Sequence, residues 1–210
     1  MATTLEELRE IINAKAQLPK KVTFEEFLTL TDGVKKAEWI DGEIIYMAAA
    51  SVRHELLFGF LLTILRLYTQ KHDLGTVIGS DIPMKLDPQR RGREPDLIFL
   101  AKERSHLLQA TYLNGPADVA IEIISPESYE RDRNDKFAEY EAAAIPEYWL
   151  LDPQRQTAAF YRLNENGQYL PADTPDGIFR SAAIAGFWLR LEWLWTLPAE
   201  LDVLRELKVI

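Results

Sequence analysis

Cysteine is absent from this 210-residue chain. That excludes disulfides, thiol nucleophiles and cysteine-ligated zinc together, and it fits a reducing compartment. Histidine is scarce: His54, His72 and His106 are scattered, which argues against a histidine zinc site. Positive charge is in deficit. Against 33 acids stand 24 lysines and arginines, a formal net charge of -9. Coating nucleic acid or anionic membrane by bulk charge is therefore disfavoured, although a local basic cleft is still allowed. Long apolar runs are missing too. Leu56 to Leu65 is the longest, well short of the roughly 20 residues a bilayer crossing needs. The opening residues, MATTLEELRE, lack a basic start followed by an apolar run, so no secretory leader is expected and the chain is placed in the cytoplasm.

What is present reads as a globular protein. A 47% hydrophobic share is enough to build a core without covalent staples in a chain of this length. Thr4 to Glu7 and Thr23 to Glu26 are capping-box signatures, each followed by apolar residues at helical spacing. Asp41-Gly42 between two β-favouring runs marks a hairpin. Ser51 is expected to cap a long helix reaching about His72, with an apolar stripe of Leu56, Leu57, Phe60, Leu61, Ile64 and Leu67. Short strands follow at Thr76–Ile78, Ile82–Leu86 and Leu97–Leu100, with a basic loop from Asp87 to Arg93. Asp118 to Ile124 is apolar except for Glu122, which suits a strand buried on both faces. Ser128 to Ala144 reads as one helix, Glu147 to Leu151 as a central strand, and Asn166-Gly167 as a second hairpin turn. The Trp-rich Phe187 to Trp195 reads as core or as a surface for pairing two copies. The order of elements predicts one mixed α/β or α+β domain.

Three acids and a lysine carry the chemical interest. Asp96 opens a strand directly after Pro95, Glu122 lies inside an apolar run, Glu38 starts the first hairpin, and Lys136 sits on the helix after Glu122. A buried carboxylate is costly unless it is paired, protonated or bound to a cation. Two carboxylates from neighbouring strands suit magnesium, which prefers hard oxygen ligands. A nearby ammonium can orient water or stabilise phosphate charge, so this set suits metal-dependent phosphodiester hydrolysis.

Here the residues reach a resemblance. PDLIF (Pro95 to Phe99), VAIEIISPES (Val119 to Ser128), DKFAEY (Asp135 to Tyr140) and IPEYWLLDP (Ile145 to Pro153) resemble the Uma-two family, as do AEWIDGEIIYM and His54 further upstream. The resemblance spans about Val22 to Leu194. It implies the restriction-endonuclease-like fold of the PD-(D/E)XK nucleases, an α/β (α+β) domain whose mixed sheet is flanked by helices. It thus implies a helical extension over residues 1–21 and a single nuclease domain over 22–210. Asp96 and Glu122 would then hold Mg2+ or Mn2+, with the Ile123 carbonyl as a further oxygen. The superfamily's lysine would fall at Ile124, and Lys136 is its apparent substitute. Glu38 matches an acid that serves as ligand or base, and His54 a histidine that touches phosphate or assists proton transfer. DNA is the implied partner, and a homodimer follows by analogy with nucleases that cut both strands.

Each residue also has a purely structural reading. Asp96 can cap a turn, and Glu122 can form a buried ion pair with Lys136. Lys136 can sit on a solvated helix face with Asp132 one turn before it, Glu38 can make a cross-strand pair, and His54 can simply start a helix. Lys85, Arg90, Arg91 and Arg93, with Arg131 and Arg133 beyond, either form a solvated loop surface or steer phosphate towards the metal. Two other function classes stay open: a non-catalytic module binding nucleic acid or protein, and a metal-dependent phosphodiesterase for small substrates.

Overall fold

The structure is a computed structural model, and it describes residues 21–32, 36–47, 50–79, 81–87, 90–125, 128 and 130–210. The first predicted helix and most of the proposed N-terminal extension lie outside these residues.

Helix α1 (Phe24–Leu30) starts at the Thr23 capping box, whose reciprocal hydrogen bonds with Glu26 are both formed. Strands β1 (Ala37–Ile40) and β2 (Glu43–Tyr46) pair across Asp41 and Gly42, both at positive φ, as this hairpin sequence favours. Helix α2 (Val52–Lys71) is capped by the Ser51 side chain and ends at His72. Strands β3 (Gly75–Gly79), β4 (Met84–Leu86), β5 (Arg91–Arg93), β6 (Leu97–Ala101) and β7 (Val119–Ile123) follow. A π-helical turn at Arg131–Asp135 runs into α3 (Lys136–Ala142), and then come β8 (Glu147–Asp152), β9 (Thr157–Leu163) and β10 (Tyr169–Pro171). The chain closes with β11 (Ile178–Arg180), β12 (Trp188–Arg190), α4 (Trp193–Thr196) and α5 (Glu200–Glu206).

The main sheet has the order β10-β9-β8-β7-β6-β3. It is mixed: β7 and β8 run parallel and the other neighbours antiparallel. Alternation along its central strands builds two cores. Leu97, Phe99, Val119, Ile121 and Ile123 pack with the buried stripe of α2, Leu57, Phe60, Leu61 and Ile64. Ile98, Leu100, Ala120 and Ile124 pack on the other face with Tyr140 of α3 and Tyr148. Glu122 has the parity of the second face. The Trp-rich segment is core: Phe187, Leu189, Trp193 and Leu194 are buried with α2.

A second, four-stranded sheet, β2-β1-β5-β4, and a two-stranded one, β11-β12, accompany the flanked sheet. Three expectations need correction. Within the presumed basic loop, Arg91 to Arg93 form strand β5, because Gly92 lets it lie against Phe24 and the Trp39 side chain. In place of one uniform helix, the π-helical turn precedes α3. On α2, Leu56 and Leu67 are exposed, so the buried stripe is narrower than the apolar pattern.

That difference is measurable. Leu61→Ala should cost about 2–5 kcal/mol in urea unfolding. Leu56→Ala should stay within about 0.5 kcal/mol, as surface substitutions do.

Candidate active site

Strand register brings the two acids together. Leu97 of β6 pairs with Ile121 of β7, so one step outward Asp96 stands opposite Glu122. Asp96 Oδ2 accepts the Ile123 backbone N–H at 2.7 Å, which locks the strand end in place. Both carboxylates line a cleft of about 540 Å³, together with His54, Lys36, Arg131, Asp132 and Lys136.

Asp96 is held as an anion. Its Oδ1 is 2.7 Å from Lys36 Nζ and its Oδ2 is 3.2 Å from His54 Nε2. Burial pushes this carboxyl up, but Lys36 and His54 outweigh it and hold it well below the usual range. His54 is set by the Ser51 cap, which accepts its backbone N–H. Burial opposes its protonation, yet Asp96 wins and raises its pKa.

Lys136 lies in a cage of carboxylates. Its Nζ is 2.9 Å from Glu122 Oε1, 3.0 Å from Glu38 Oε1 and 3.2 Å from Asp132 Oδ1. It is only 2% exposed, which overturns the solvated helix face as a reading of this residue. Burial would discharge it, but the three carboxylates raise its pKa well above the ordinary value. Glu122 also accepts the Tyr140 hydroxyl at 2.7 Å. Burial pushes Glu122 up, to about 7, with Lys136 pulling against it and Asp132 and Asp96 adding to the push. Glu38 feels burial too, but Lys136 and Arg93 bring it down to about 2.

The four predicted steering cations do not line the cleft. Arg93 is a correction to that reading. Its guanidinium is buried, with Nη1 2.6 Å from Glu38 and with Nε and Nη2 forked onto Glu139 at 2.6 and 2.8 Å. Arg91 reaches Glu139 and Asp41, and Lys85 is near Glu25 and Asp87. Arg90 is exposed at the turn before β5. Sequence reasoning passed over Lys36 as a cleft residue, which no motif marks. It also treated Asp132 only as a helix-face partner of Lys136, and it passed over Tyr140. Tyr140 follows Lys136 at i+4, and that spacing places both on one helix face.

A hard divalent cation fits this chemistry in three respects. Asp96 and Glu122 offer oxygen ligands from one wall. Five carboxylates line the cleft (Glu55, Asp81, Asp96, Glu122, Asp132) against three cations (Lys36, Arg131, Lys136) and His54, so it is short of positive charge. Asp132 Oδ1, in the cleft lining, is buried without a hydrogen bond, though Lys136 is at ion-pair distance. Among the described residues no group of three histidine or acid side chains is gathered for a metal.

The family model Uma2, described as "Putative restriction endonuclease", matches residues 24–192. A crystal structure from Anabaena variabilis ATCC 29413, described as a "putative nuclease belonging to DUF820", superposes with a TM-score of 0.69 at 19% identity. The match covers 83% of this chain and 98% of that one, so the two share a fold, consistent with the restriction-endonuclease-like class. No curated protein matches the chain. Among the described residues no helix is long and apolar enough to cross a membrane.

The cage is testable by unfolding. Lys136→Met should cost about 3–5 kcal/mol, since it strands buried carboxylates. Adding Glu122→Gln should recover part of that loss in a double-mutant cycle, because one stranded charge is gone. Equal and additive losses would show that the two groups do not interact.

Proposed function

The chain belongs to the Uma2 family, and from that premise we propose that it is a metal-dependent endonuclease hydrolysing DNA phosphodiester bonds. The observation that carries this reading is the pairing of Asp96 with Glu122 at the ends of adjacent strands, facing one cleft. Asp96 and Glu122, with the Ile123 carbonyl, would hold magnesium or manganese. Such an ion polarises a phosphoryl oxygen and makes water a stronger nucleophile.

The remaining roles belong to side chains. Lys136 and Tyr140 fix the Glu122 carboxylate in place, Lys136 by charge and Tyr140 by its hydroxyl. The Ile123 N–H orients Asp96. His54 contacts Asp96 through Nε2 and can move a proton at the cleft wall. Glu38 keeps Lys136 protonated from the opposite side. A phosphodiester meets five carboxylates on entry, so binding should be strongly salt- and metal-dependent.

A cleft of about 540 Å³ also falls in the size range of small-molecule sites, which supports a second reading, a phosphodiesterase for small substrates. One assay separates the two. Supercoiled plasmid, single-stranded DNA and a chromogenic mononucleotide diester are incubated at low salt with magnesium or manganese. We expect plasmid cleavage that falls by about 100-fold or more in Asp96→Asn and Glu122→Gln, the scale of losing a main electrostatic element. Cleavage of the small diester alone would select the second reading. No cleavage of any substrate, with no metal binding by calorimetry, would remove both.

A further inference from the structure

We propose that Lys36 and Arg131 are the cations that grip the DNA backbone in this cleft. The inference rests on the nuclease reading and adds to it which positive groups face the phosphates.

The two lysines near the acids differ in surroundings. Lys136 is enclosed by Glu38, Glu122 and Asp132 within 3.2 Å and is almost wholly buried. A phosphate approaching it through the cleft would meet Glu122 and Asp132 beside it. Lys36 pairs with Asp96, and 23% of its side chain is open to solvent. An ammonium carries three N–H donors, so Lys36 can keep Asp96 and still donate to a phosphate oxygen. Lys36 also lines the adjoining hollow of about 700 Å³, which places it at the junction of two concavities, where a strand leaving the cleft would pass.

Arg131 stands on the π-helical turn that follows β7. Its side chain is 21% exposed, its Nε is 3.8 Å from Glu38, and that buried nitrogen makes no hydrogen bond. Arg131 lines the cleft and part of its side chain is open to solvent, so a phosphate oxygen can approach the guanidinium there. A guanidinium suits phosphate because its fork of donors matches two oxygens at once. Lys36 lies just before β1 and Arg131 opens the turn between β7 and α3, so the two come from separate segments around Asp96 and Glu122.

The test reads binding, not turnover. Fluorescence anisotropy of labelled duplexes of two unrelated sequences is measured at low salt with calcium, for wild type, Lys36→Gln and Arg131→Gln. Lys85→Gln and Arg90→Gln serve as controls outside the cleft. Each cleft variant should weaken binding about 5- to 10-fold on both sequences and lower the salt slope by about one. Lys36→Arg and Arg131→Lys should restore part of the affinity, and the controls should stay within about twofold. Thermal unfolding of each variant checks folding, and Arg131→Gln, which breaks no hydrogen bond at Nε, keeps the test decisive if Lys36→Gln is unstable. Wild-type affinity in both cleft variants, or equal losses in the controls, overturns the assignment while leaving the nuclease reading intact. A wild type that neither binds nor cuts DNA overturns both.

Discussion

The Lys136 ammonium, held between Glu38, Glu122 and Asp132, is the centre of the charged contacts that join the second sheet to the main sheet and to α3. Glu38 comes from the second sheet, Glu122 from the centre of the main sheet, and Lys136 with Asp132 from the turn and helix between β7 and β8. Arg93 extends the knot by bridging Glu38 to Glu139 of α3. Taking these charges out of water costs several kcal/mol per ion, and only close, multiple pairing offsets it. The second sheet is thereby fixed over the edge where Asp96 and Glu122 emerge. Register at that edge depends on the same knot, because moving β7 by one residue would turn Glu122 into the core against α2.

Charge at the cleft follows a consistent logic. The molecule carries -9 overall, and its cleft is lined by more acids than cations. Such a surface repels a polyanion unless positive charge is supplied locally. Lys36 and Arg131 supply some in the cleft lining, and a divalent cation would supply the rest. This makes the acidic composition compatible with a phosphate substrate: non-specific association is suppressed, and productive approach depends on positive charge supplied locally.

Much of this was readable from the chain because it rests on local rules. The Thr23 and Ser51 caps, the Asp41-Gly42 turn and the doubly buried run around Glu122 are each set by a few neighbouring residues. The misreadings share a different cause. Arg91 to Arg93 look like a solvated loop by composition, and only pairing with β1 and β4 makes them a strand. Leu56 and Leu67 fit the apolar period of α2 but lie on its outer edge, a matter of where the sheet ends. Lys36 carries no motif at all, and it reaches Asp96 across 60 positions of chain. Long-range electrostatics of this kind leave no periodic trace in a sequence.

The lysine of the site shows why spacing is a weaker guide than space. The resemblance to PD-(D/E)XK nucleases places a lysine two residues after the acid, where this chain has Ile124. Ile124 shares the parity of Glu122 and packs with Tyr140 and Tyr148, so an ammonium there would be buried in apolar surroundings. The chain instead brings Lys136 to Glu122 from α3, at 2.9 Å. That solution satisfies the buried acid, but it also encloses the lysine. A cation so enclosed can set the charge and position of Glu122. Lys36 and Arg131 keep more of their side chains open to solvent, so the work that one lysine could do at position 124 is shared among three cations lining the cleft.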